Sequence, residues 1–176
     1  MKISIPQIAV VYIFCLALIL VLAITGTPDI RHRGVDATIN FIPLVDIFTN
    51  FYQYMLNILL FVPIGFLLPA LWRPFQKWLF TFIAGFVFSL SIEISQLFGS
   101  RITDIDDVLM NTAGTIAGYI LFLLIKRVFP NIFFSIDGKD YGKWEPYVCF
   151  AAAWFVMFFI QPFVVSRLMG MTARFR

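Results

Sequence analysis

Glu93, Arg101, Asp104, Asp106 and Asp107 crowd five charges into one short stretch of a chain otherwise poor in charge. Glu93 stands alone inside an apolar run, where a carboxylate must be protonated, hydrated or paired. It can carry a proton or accept hydrogen bonds. Arg101, in the adjoining loop, can fold back to it or meet an anionic head group. The three aspartates open the next apolar run. One or two of them are explained as helix-capping carboxylates, which accept from free N–H groups and complement the helix dipole. A remaining one, with Glu93, could take up a proton or a hard cation such as Mg²⁺ or Ca²⁺. Asp104 and Asp107 are the candidate ligands in that case, although no metal-ligand spacing is matched, and nothing in the sequence identifies a cofactor.

Helical spacing extends this cluster. Gln53 and Asn57 are four apart, Ser89, Glu93 and Gln96 follow i, i+4, i+7, and Asp104, Asp107 and Asn111 follow i, i+3, i+7. Each set shares one helix face. Gly114 and Gly118 continue the last stripe. Three segments therefore each present a polar strip: Asn57 on one, Glu93 and Gln96 on the next, and Asp107 and Asn111 on the third. Tying helices together would account for some of these groups, since interhelical polar contacts contribute about 0.6–2 kcal/mol each. So many at one level exceed what packing requires.

The elements that must position these residues are membrane helices. The chain has 176 residues, 61% of them hydrophobic and 13% charged, with a mean hydropathy of +0.91. Soluble domains carry about twice that share of charge. Disorder, collagen, coiled coil and a soluble α/β enzyme are excluded. Long uncharged runs predict membrane spans near 6–25, 52–72, 78–98, 107–125 and 146–166, each about the 20 residues a bilayer requires. The runs are continuous rather than alternating, which excludes an outer-membrane barrel. The expected fold is all-α, a single polytopic bundle over 1–176 with about five transmembrane helices. The first run is too long for a signal-peptide core and reads as a retained helix. The segment near 36–51, with Asn40-Phe41-Ile42-Pro43-Leu44, is too apolar for a water-exposed linker and reads as interfacial or re-entrant.

Smaller features take structural readings. Gly114-Thr115-Ile116-Ala117-Gly118 is a GxxxG pattern for close helix approach, with Ala113 and Ala117 beside it. Pro63 and Gly65 permit a kink. Cys15 and Cys149 lie in apolar spans and read as small buried hydrophobes, with nothing to say whether they are neighbours. His32 is the lone histidine, flanked by Arg31 and Arg33, so a histidine-based triad is excluded. A net charge of +3 without a basic block gives no nucleic-acid partner. Trp72, Trp78 and Trp144 fall at helix ends, where interfacial anchors belong. With five spans, Lys2, Arg73, Lys77, Lys126, Arg127, Lys139 and Lys143 share one side of the membrane. Arg31, Arg33 and Arg101 lie on the other, joined by the arginines of the C-terminal tail. Leaving that tail aside, the positive-inside rule places the N-terminus in the cytoplasm.

Asn40-Phe41-Ile42-Pro43 and Asn57-Ile58-Leu59-Leu60-Phe61-Val62-Pro63-Ile64-Gly65 resemble motifs of VanZ-like membrane proteins. Ser91-Ile92-Glu93-Ile94-Ser95-Gln96 is similar to a third. Arg101 with Asp104-Ile105-Asp106-Asp107-Val108, Asn111-Thr112-Ala113-Gly114 and Gly118-Tyr119 resembles a fourth. The resemblance covers 37–125. It implies a multi-pass protein of the bacterial cytoplasmic membrane and, from the family's namesake, low-level resistance to the glycopeptide teicoplanin, a phenotype rather than a mechanism. The leading expectation is a cell-envelope protein that engages a lipid or lipoglycopeptide at the outer leaflet. Its pocket would be lined by Asn57, Glu93, Gln96, Arg101, Asp104, Asp107 and Asn111. Two alternatives stand beside it. One is an intramembrane enzyme acting on a lipid-linked substrate through Glu93, Asp104 and Asp107. The other is an assembly protein whose GxxxG helix docks a membrane partner or a second copy.

Overall fold

The computed structural model describes residues 5–25, 39–40, 43–44, 50–97, 103–129 and 144–161. Five helices carry the fold among them: α1 (Ile5–Thr25), α2 (Phe51–Leu71), α3 (Trp78–Gln96), α4 (Ile105–Val128) and α5 (Glu145–Phe155), the last continuing into a wider π turn over Val156–Ile160. The chain is an all-α membrane bundle. Helices α2, α3 and α4 have 21, 19 and 24 residues and are long and apolar enough to cross a bilayer. The described parts of α1 and α5 are shorter apolar helices, Ala9–Thr25 and Glu145–Ile160. These bounds fall within a few residues of the expected spans. The expected fifth span runs to 166, and its last residues lie outside the described ones.

Burial is arranged for a lipid solvent. Leu16, Leu59, Val87 and Leu124 point outward, each more than half exposed, while Asn57, Ser89, Glu93, Asn111 and Thr115 are buried. Water would favour the reverse, because an exposed leucine costs hydrophobic free energy there and a buried carboxylate costs more. In lipid the outward leucines lose nothing, and the polar groups must find partners inside the bundle.

Two seams hold the helices. The apolar one joins α1, α2, α3 and α5 through Phe14, Leu18, Leu22, Phe61, Ile64, Phe88, Ala153 and Met157. Phe14 meets Trp72 and Phe150 edge to face, with ring centroids 5.1 and 5.7 Å apart. Cys15 and Cys149 are neighbours in this seam, and both are free thiols. The other seam, the most extensive in the molecule, joins α2 to α4, with α3 against its side. It is built on small residues. A Cβ at Gly114 would strike the Ile58 carbonyl, one at Gly118 the Val62 carbonyl, and one at Gly65 the Thr115 carbonyl. Glycine is required at all three because backbone meets backbone. Helix α2 runs unbroken through Pro63 and Pro69.

At one end of the bundle a 3₁₀ turn, Arg73–Gln76, links α2 to α3. Gln76 fastens it to α4, its carbonyl accepting from Tyr119 at 2.5 Å and its Oε1 from Lys126 Nζ at 2.9 Å. Trp72 Nε1 donates to Glu145 Oε2 at 3.1 Å, tying the same turn to α5. At the opposite end, β1 (Ile39–Asn40) pairs in parallel with β2 (Thr103–Asp104), with Ile39 opposite Thr103 and Asn40 opposite Asp104. This two-residue pairing brings part of the segment before α2 beside the N-terminus of α4. Most of that segment, 45–49 included, lies outside the described residues.

Candidate functional site

The polar site is built around the first two turns of α4. Asp104 has extended backbone (φ −121°, ψ 128°), and its Oδ1 accepts from Asp106 N at 3.0 Å, a standard N-cap. Its own backbone N–H donates to Glu93 Oε2 at 3.2 Å. The carboxylate near the end of α3 is thereby joined to the peptide that starts α4. One turn inward, Asn57 Nδ2 of α2 donates to Asp107 Oδ1 at 2.5 Å. A turn deeper still, Asn111 Nδ2 donates to Ser89 Oγ at 2.9 Å. The polar strips of α2, α3 and α4 meet at one end of the bundle.

Asp106 is the hub of the adjoining layer. It is 2% exposed. Tyr54 OH donates to its Oδ2 at 2.6 Å, and the backbone N–H of Leu44 is shared between its two oxygens at 3.0 and 3.1 Å. Leu44 has φ 63°, a left-handed conformation that costs a non-glycine residue about 1–3 kcal/mol. The charge-assisted bond to Asp106 offsets that strain and holds the Pro43–Leu44 turn over the end of α4. Sequence reasoning did not place Asp106 or Tyr54 in the pocket. A tyrosine at position 54, three residues before Asn57, was the available signal, since i and i+3 share a face.

The expected residues fare differently. Asn57, Glu93, Asp104, Asp107 and Asn111 come together. Gln96 is buried, but its Nε2 donates to Thr25 O at 3.0 Å, toward the end of α1. Arg101 lies outside the described residues. The four packing residues Pro63, Gly65, Gly114 and Gly118 lie in or beside the α2–α4 seam, so the GxxxG face is covered within the chain. Among the described residues no group of three or more His, Cys, Asp or Glu side chains is placed to hold a metal ion. Asp104 is committed to its cap, and Asp107 accepts from Asn57.

One atom of the site stands apart. Asn111 is 1% exposed, and its Oδ1 accepts no hydrogen bond. Leaving a buried acceptor unsatisfied costs about 1–3 kcal/mol.

A model of the VanZ/LLP1 family matches residues 9–126. The match starts within α1, upstream of the motifs that begin near 37, and ends with α4. No curated protein and no solved structure matches the chain.

Proposed function

The chain belongs to the VanZ/LLP1 family, and from that premise we propose that it contributes to glycopeptide resistance by engaging a lipid or lipoglycopeptide at the polar end of its bundle. It would do so as a multi-pass protein of a bacterial cytoplasmic membrane, with this end toward the outer leaflet and the N-terminus in the cytoplasm. The observation that carries the reading is the Asn111 Oδ1 acceptor, buried and unsatisfied among amides and carboxylates from three helices. A ligand amide or hydroxyl donor would satisfy it. The nearby Asn57–Asp107 pair and the Glu93 carboxylate would supply the remaining polar contacts, and the Pro43–Leu44 turn would border the opening.

The test is a pair of near-isosteric changes, Glu93→Gln and Asp107→Asn, assayed for teicoplanin susceptibility at matched membrane expression. Both variants are expected to lose protection while retaining the parent's melting temperature within a few degrees. If both protect as well as the parent, the polar end is a packing device and the proposal fails.

A further inference from the structure

The apolar seam holds two thiols at one level. Helix α1 ends at Thr25, beside Gln96 at the polar end, and α5 begins at Glu145, beside Trp72 at the other. The two helices therefore run parallel, and their facing stripes climb in step. Phe14, Leu18 and Leu22 on α1 and Cys149, Ala153 and Met157 on α5 recur every four residues and share one buried cluster. The register is set where Phe14 meets Phe150 edge to face at 5.7 Å. At that level Cys15 is the neighbour of Cys149. Both are free thiols, Cys149 buried and Cys15 half-buried.

The surroundings select what this pair can become. A thiolate would bring an uncompensated charge into an apolar seam. A disulfide is neutral and has no hydrogen to place, so it suits the seam. It would also change how α5 is held. That helix lies beyond the 9–126 family match, and its principal helix neighbour is α1.

We propose that Cys15 and Cys149 form a reversible disulfide, made by peroxide and undone by thiol exchange, that staples α5 to the bundle. Hydrogen peroxide is small and uncharged and reaches Cys15, the more accessible of the two. The Cys15 sulfur attacks one peroxide oxygen: an S–O bond forms, the O–O bond breaks, and the thiol proton leaves with the displaced hydroxide as water. The Cys149 sulfur then attacks the Cys15 sulfenic acid: an S–S bond forms, the S–O bond breaks, and a second water carries off the Cys149 proton. Two electrons pass from the thiol pair to one peroxide. In a reducing compartment the dithiol is the resting form and the disulfide is transient.

The experiment exposes the full folded chain in detergent to hydrogen peroxide at a dose that oxidises the SDS-unfolded chain. The protein is then unfolded and its remaining thiols are counted with a mass-tagging maleimide. Both thiols are expected to lose the tag together, the chain to stay monomeric on a non-reducing gel, and dithiothreitol to restore both tags. The oxidised protein should melt about 5–10 °C above the reduced one, a rise absent from Cys15→Ala and Cys149→Ala. In Cys149→Ala, dimedone should trap the sulfenic acid on Cys15. Thiols that keep their tags overturn the proposal, as does tagging that dithiothreitol cannot restore, because each sulfur has then been oxidised separately. A crosslink between two chains overturns it too, and so does a melting temperature that is unchanged or rises equally in the single-alanine variants.

Discussion

Asp106 joins a tyrosine of α2 and the backbone of the Pro43–Leu44 turn to α4, and its loss should be felt first as instability. It accepts from Tyr54 and from the Leu44 backbone while 2% exposed, and hydrogen bonds to a charged group are worth about 1.5–3 kcal/mol. Asp106→Ala should therefore lower the melting temperature in detergent clearly more than Tyr54→Phe, which removes only one donor. Equal melting of the two variants would show that the Leu44 turn is held by something else. The contrast between residues shows what spacing can and cannot reveal. Asn57, Glu93 and Asn111 were legible because a polar residue in an apolar helix is anomalous and its face follows from a period of 3.6. Asp106 was one of three similar carboxylates, and its partners leave little trace. Tyr54 reads as one more aromatic, and Leu44 contributes a backbone N–H that no side chain announces. Gln96 shares a face with Glu93 by spacing, yet its amide reaches α1, because spacing fixes a direction on a helix and not the neighbour that lies there.

Helices α2 and α4 approach until backbone touches backbone, and this contact makes a sharp prediction at the level of the element. A methyl added at Gly118 meets the Val62 carbonyl, an atom that cannot rotate away. Gly118→Ala should cost about 1–3 kcal/mol, the usual range for overpacking, whereas Ala117→Leu, on the exposed side of the same turn, should melt like the parent. Thermal unfolding in detergent distinguishes them. The GxxxG pattern was visible in the sequence, but Ala113 and Ala117 beside it were not part of the contact and face outward. Gly85 on α3 was not singled out, although Thr81 and Ser89 stand four residues to either side and complete a small-xxx-small row. It is nonetheless required: a Cβ there would overlap the Thr115 side chain, and Thr115 itself is fully buried with its hydroxyl donating to Asn111 O at 3.1 Å. Contacts between one glycine and one threonine from different helices are tertiary facts, invisible to any local pattern.

At the scale of the whole molecule, the cations among the described residues gather at one end. Arg73, Lys77, Lys126 and Arg127 lie there with Glu145 as the acid beside them, while Asp104, Asp106 and Asp107 lie at the other end. The positive-inside rule then predicts that a reporter fused after residue 75 is active as a cytoplasmic fusion, and one after residue 103 as an exported fusion. The opposite pattern would invert the orientation and place the polar site inside the cell. The number of helices and their approximate bounds were legible because bilayer thickness imposes a length on every span. The parallel pairing of Ile39–Asn40 with Thr103–Asp104 was not, since two residues of strand carry no period. That small pairing has a consequence for biogenesis. It joins the stretch ahead of α2 to the stretch ahead of α4, across more than sixty residues of chain. Until α4 has been synthesised, Asn57 lacks Asp107 and Glu93 lacks the Asp104 N–H. The middle helices are therefore expected to settle as one unit only once α4 is in place, which protease protection of chains truncated after residue 97 and after residue 129 would check.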